Sequence, residues 1–147
     1  MKPLFYIING PNLNMLGIRE PEHYGSESYD ALKKMLTEKA EELNVEIDIF
    51  QSNHEGALVD KIQEAYFNGV AGIVINPAAY THTSIAILDA LKSVKIPAVE
   101  VHISKVEDRE SYRQISYVSE VCEKRISGHG LIGYTEALEY LSEKYAK

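Results

Sequence analysis

The chain has 147 residues with 15 Lys and Arg against 22 Asp and Glu, a formal net charge of −7, and a composition 45% apolar and 25% charged. This argues for one soluble domain, spanning 1–147, with one core and against wholesale disorder. The absence of an ~18–20-residue apolar run or signal-peptide h-region argues against a membrane partner, the single Cys122 excludes a disulfide framework or multi-thiolate zinc site, and the acidic balance argues against non-specific nucleic-acid binding.

Leu4 to Ile8 is a continuous apolar run, which suits a strand buried on both faces. Tyr29, Leu32, Leu36, Ala40 and Leu43 then recur at helical spacing behind Ser28, a fitting N-cap. Val45 to Phe50 alternates with period two, which predicts a strand with one wetter face near a sheet edge. A second helix is read from Leu58, Ile62, Ala65 and Tyr66, with Gly69 as its stop. Gly72 to Ile75 reads as the third strand, Ile85 to Leu91 as the third helix, and Ala98 to Val101, entered through Pro97, as the fourth strand. In the irregular stretch 106–123, Tyr112, Ile115 and Val118 are assigned to one short helical face. Lys124 to Ser127 is a poor strand by composition and is retained because the alternation calls for one; Leu131 to Tyr145 closes the chain as a helix. The β-α-β-α order predicts an α/β fold of the flavodoxin-like type, a three-layer sandwich around a five-stranded parallel sheet.

One connection breaks the rhythm. Residues 10–27 join the first strand to the first helix, far more than the ~2–6 residues usual there. They carry Asn12, Asn14, Arg19, His23 and Tyr24, and their position favours an active-site lid over a surface insertion.

In open parallel sheets, ligands bind beyond the carboxyl ends of the strands. The first strand delivers Asn9-Gly10-Pro11-Asn12 there, the second Gln51 to Gly56, the third Asn76 to Ser84, and the fourth His102-Ile103-Ser104. Three of the five histidines fall on that edge, the lining expected for a small polyhydroxylated ligand. Ser84 and Asn53 also fit simple caps or turns. His102 is the candidate acid or base, since imidazole exchanges protons near neutrality. Glu100, two residues earlier on a strand, points to the same side and can orient the ring. Tyr24 is a poor base at a pKa of ~10, and a nearby Arg19 can lower that by roughly 1–3 units.

Gly128-His129-Gly130-Leu131-Ile132-Gly133 matches GxGxxG formally, but too little chain follows for a dinucleotide-binding βαβ unit, so it is read as a turn into the last helix. The histidines lack HExxH-like spacing, which leaves a metal site unsupported, and Cys122 reads as packed.

The segments Asn9-Gly10-Pro11-Asn12-Leu13-Asn14-Met15-Leu16-Gly17, Arg19-Glu20-Pro21 and Tyr24-Gly25 resemble the opening of type II 3-dehydroquinate dehydratases. The resemblance continues through Gln51 to Gly56, Ile75-Asn76-Pro77, Thr81 to Ser84, Asp89-Ala90, Glu100 to Ser104, Arg109-Glu110, Arg113 and Gly133-Tyr134, in one order over nearly the whole chain. It implies elimination of water from a small-molecule substrate, 3-dehydroquinate, to give 3-dehydroshikimate in the shikimate pathway. It further implies a cytoplasmic enzyme, no cofactor, and a homo-oligomer, a dodecamer built from trimers. By the resemblance Tyr24 is the proton acceptor and Arg19 lowers its pKa. Asn12 helps hold a water on the enolate oxygen, His102 protonates the departing hydroxyl, and Glu100 orients His102. Asn76, His82, Ile103, Ser104 and Arg113 bind the substrate, with Asp89 reaching in from a neighbouring subunit. The chain departs from the family's pattern at Lys105, at His129 and over Glu123-Lys124-Arg125, which replaces a smaller, more apolar stretch. These departures are expected to lie clear of the catalytic residues, with Lys105 beside the carboxylate pocket. Two other readings of the same fold remain: a binding or signalling domain, which bound flavin would mark, and a lapsed homologue serving as a scaffold.

Overall fold

The computed structural model describes residues 1–18 and 27–146. Strands β1 (Leu4–Asn9), β2 (Glu46–Gln51), β3 (Gly72–Asn76), β4 (Ala98–His102) and β5 (Lys124–Ser127) form one parallel sheet in the order β2-β1-β3-β4-β5. Helices α1 (Tyr29–Leu43), α2 (Glu55–Phe67), α3 (Ile85–Val94) and α4 (Ile132–Tyr145) cover it. This is the expected flavodoxin-like sandwich. None of these helices is long and apolar enough to cross a membrane among the described residues.

The order follows from side-chain alternation. On β1, Phe5 and Ile7 face one cluster with Leu32, Leu36, Tyr134, Leu138 and Leu141, so α1 and α4 share that side. Tyr6 and Ile8 face the other, with Leu58, Ile62, Ile87 and Leu91 of α2 and α3. Right-handed crossovers leave β1 toward β2 on one side and return toward β3 on the other, so the loops after β1 and β3 diverge. A cleft opens between them.

Local chemistry sets the ends of the elements. Ser28 Oγ accepts from Ala31 N at 3.1 Å and caps α1; Ser84 Oγ accepts from Ile87 N at 2.9 Å and caps α3. Gly69, at φ +65, follows α2 as its stop. β5 is an edge strand whose residues pair with β4, and of its side chains only Ile126 is buried. Charged residues there suit an exposed edge. β2 is the opposite edge, as its alternation predicts.

Two expectations need correction. Tyr66 does not join the inner face of α2: it is 61% exposed and packs edge-to-face on Phe67. The buried series Leu58, Ile62, Ala65 already completes the stripe, and one residue further turns the side chain ~100° outward. Residues 106–123 form three separate 3₁₀ turns, Val106–Asp108, Ser111–Arg113 and Val118–Glu120, rather than one helical face. Val118 is buried there, while Tyr112 and Ile115 are exposed.

Candidate active site

The strand ends converge as the topology requires. Asn12, Asn76, His82, His102, Ile103, Ser104 and Arg113 line one cleft of about 150 Å³, together with Arg109. Glu100 stands behind His102 in the sheet, fully buried. Asp89 lies exposed on α3 and is not part of this lining. Arg19 and Tyr24 lie outside the described residues.

Where they leave the sheet, before they diverge, the loops after β1 and β3 are held in close contact. Gly10 N donates to Asn76 O at 2.8 Å. A Cβ on Gly10 would stand 2.3 Å from Pro77 O, so only glycine fits. Asn12 adopts the left-handed region at φ 71, which asparagine tolerates, and its N–H donates to Asn53 Oδ1 at 3.0 Å. Asn53 therefore ties the loop after β2 to that after β1.

Asn76 is fixed from below. Its Nδ2 donates to Tyr134 Oη at 2.8 Å, and Tyr134 in turn donates to Asn9 Oδ1 at 2.7 Å. Burial pushes the Tyr134 phenol far up, so it stays a neutral donor. Asn76 Oδ1 accepts from Ala78 N at 3.1 Å. Ala78 itself sits at φ +53, a conformation costing an L-residue roughly 1–2 kcal/mol. Strain of this kind persists where the surroundings over-determine it.

His102 Nε2 meets Glu100 Oε2 at 2.5 Å. Because the carboxylate only accepts, Nε2 carries the hydrogen, and Nδ1 is the ring nitrogen left for the cleft. Burial pushes the Glu100 carboxyl up, but His102 and the hydroxyls of Ser119 and Ser116 outweigh it and hold the group below the usual carboxylate range. Ser116 Oγ donates to Oε2 at 2.8 Å, and Ser119 Oγ donates a short bond to Oε1.

His82 is set to the opposite task. Its Nδ1 lies 2.8 Å from Ile115 O, which only accepts, so Nδ1 carries the hydrogen and Nε2 is an acceptor. Burial lowers its pKa, an effect only partly opposed by the Ile115 carbonyl and reinforced by the charges of His102, Arg113 and Arg125. It is a neutral hydrogen-bond acceptor suited to a hydroxyl. Arg113 reaches the cleft braced by Glu110, with Nε 2.9 Å from Oε1. The Tyr112 hydroxyl, a backbone N–H and Arg113 push the Glu110 carboxyl down to about 2.

The glycine turn after β5 has a structural purpose. Gly128 N donates to His102 O at 3.2 Å, and Gly130 N to Ile103 O at 3.1 Å. In trans peptides the next N–H points opposite to its carbonyl. With the carbonyls turned toward the glycine turn, the N–H groups of Ile103 and Ser104 face away from it, and both residues line the cleft. Paired amides of this kind make an anion site. The formal GxGxxG match is thus a turn that docks on β4 and leads into α4.

Sequence reasoning passed over Ser116, Ser119 and Arg125. The expectation that 123–125 lies clear of the catalytic residues is corrected: Arg125 Nε stands 3.8 Å from Glu100 Oε2. For Arg125 the signal was register, since it pairs with Glu100 across β4 and β5, and register is not visible in a single strand. Lys105, expected beside the pocket, turns instead to an outer ledge with Glu107, Lys124 and His129. No cluster of three or more metal-binding side chains occurs among the described residues.

Residues 3–142 match the family model for class II dehydroquinase. The chain is 56% identical to a 3-dehydroquinate dehydratase of Lachnospira eligens, covering 90% of this chain and 91% of that one. It is similar in structure to a type II dehydroquinase of Butyrivibrio crossotus, with a TM-score of 0.94 and 55% identity over 95% of this chain and 97% of that one. A type II dehydroquinase of Propionibacterium acnes superposes at a TM-score of 0.92 with 40% identity, covering 97% and 98% of the two chains.

Proposed function

This chain belongs to the class II dehydroquinase family and is a 3-dehydroquinate dehydratase, a hydro-lyase, and from that premise we propose how its residues divide the elimination. The observation that carries the proposal is the His102–Glu100 dyad, which presents Nδ1 to a cleft lined by neutral donors and Arg113.

Tyr24, as phenolate, removes the proton on the carbon next to the ketone, and Arg19 favours that phenolate. The electron pair moves into the carbonyl, and the enolate oxygen is held by a water on Asn12 and by preplaced donors. The enolate then collapses, the carbon–oxygen bond at the β-carbon breaks, and His102 gives its Nδ1 proton to the leaving hydroxyl as water. Tyr24 is left protonated and His102 neutral; one proton passing from the first to the second resets the site. Glu100 stabilises the imidazolium before donation and holds Nε2 protonated throughout.

Binding divides between charge and tautomer. The N–H groups of Ile103 and Ser104 meet the substrate carboxylate, joined by Asn76. Arg113 offers its fork, and neutral His82 accepts from a ring hydroxyl. Asp89, exposed on α3, acts at a neighbouring copy's site in a dodecamer of trimers. The reaction belongs to the shikimate pathway in the cytoplasm; the expected lid, residues 10–27, includes residues 19–26, which lie outside the described residues.

Adding 3-dehydroquinate and following the ultraviolet absorbance of the conjugated enone tests the assignment. The parent chain produces the signal and Tyr24→Phe loses it by about 10²–10⁴-fold, the usual worth of a general base. A folded Tyr24→Phe variant with parental turnover would remove Tyr24 from the mechanism.

A further inference from the structure

Glu100 is the most enclosed charge in the molecule's site, with no exposed surface. An ionised carboxylate so placed persists only if its oxygens are satisfied. His102 occupies one direction. Ser116 and Ser119, beside and in the third 3₁₀ turn, donate to Oε2 and Oε1 respectively. Arg125 approaches from the neighbouring strand, Nε 3.8 Å from Oε2, while its Nη2 lies 3.5 Å from Glu107 Oε2. At that separation from Glu100 the guanidinium acts as a charge rather than as a tether.

We propose that Ser116, Ser119 and Arg125 form a positioning cradle that fixes the rotamer and charge of Glu100 and so sets the pH range over which His102 releases its proton. The inference rests on His102 as the proton donor. The serines spend part of the carboxylate's hydrogen-bonding capacity on neutral donors. Arg125 is a second cation beside the carboxylate, so the attraction of Glu100 is divided between the imidazole ring and the guanidinium. Glu107 draws the guanidinium outward and moderates that competition. The other ionisable groups facing the dyad among the described residues are His82 after β3, Arg109 and Arg113 from the turns after β4, and Cys122 before β5.

The test compares pH profiles of kcat and the imidazole titration of His102 by nuclear magnetic resonance in the assembled enzyme. Arg125→Gln removes the charge at similar length. It should move the alkaline limb of kcat and the ring titration upward together, by ~0.5–1 pH unit, the fraction of a full charge effect expected at a part-exposed site. Arg125→Lys should restore most of the parental profile. Ser119→Ala should move the alkaline limb and the ring titration the same way, and Ser119→Thr, which keeps the hydroxyl, should not. KM should stay within about twofold in each, since the cradle does not touch substrate. Profiles that superimpose on the parent, with only kcat or thermal stability lowered, would reduce the three residues to structural support. The ring titration separates this outcome from failure of the donor reading. Parental turnover in His102→Asn would end that reading, whereas an unmoved His102 titration in Arg125→Gln ends the cradle whatever the turnover.

Discussion

At the scale of residues, two histidines in one cleft are assigned opposite work by a single hydrogen bond each. Glu100 takes Nε2 of His102, and Ile115 O takes Nδ1 of His82. His102→Ala should lower kcat by about 10²–10⁴ with a small change in KM, whereas His82→Ala should act mainly on KM; steady-state kinetics on the two variants checks the split. Glu100 also links stability to acid. Its folded pKa is depressed, so its contribution is present above the ordinary carboxylate range and is lost as pH falls through the folded value. Denaturant titrations below pH 4.5 should therefore show a shallower loss of stability in Glu100→Gln than in the parent. Burial, with the Glu100 charge nearby, pushes the Cys122 thiol up to about 12. Iodoacetamide at neutral pH should leave native Cys122 unmodified and alkylate it on unfolding; ready labelling of the native enzyme would contradict this. The pairing of His102 with Glu100 was readable as strand spacing. The tautomers were not, because they depend on Ile115 and on the strand register.

At the scale of elements, β1 was legible as a continuous apolar run buried on both faces, and α1 by the helical period of its buried Leu32, Leu36 and Ala40. The stretch 106–123 was not, because its geometry is set by single contacts. Val106 and Val118 enter the core, Ser116 and Ser119 bond Glu100, and Gln114 Nε2 donates to Val106 O at 2.9 Å. None of these repeats with a period. The same holds for Gly10, whose need for glycine arises from Pro77, far away in sequence. Gly10→Ala must push the two loops apart and should cost roughly 1–3 kcal/mol. A thermal melt should show a Tm lower by about 2–10 °C, with KM raised because Asn76 shifts with Pro77. An unchanged Tm would show that the loops are not locked together as described.

At the scale of the whole molecule, a chain of net charge −7 still builds a site for an anion, because turn amides and Arg113 are gathered at one sheet edge while acidic residues occupy helix surfaces. Asp89 faces outward, so its proposed role at another copy's site makes turnover depend on assembly. Chains carrying His102→Ala and chains carrying Asp89→Ala, dissociated and reassembled together, should regain about a quarter of parental activity by random pairing within a cyclic trimer. No recovery beyond the separate variants would confine each site to one chain. The division of labour between Tyr24 and His102 is tested most directly by incubating His102→Ala with 3-dehydroquinate in deuterium oxide and analysing recovered substrate by mass spectrometry. Proton removal does not need His102, so the account predicts deuterium entering next to the ketone while the enone forms about 10²–10⁴-fold more slowly. Undiminished enone formation, or slow formation with no deuterium in the recovered substrate, would contradict it.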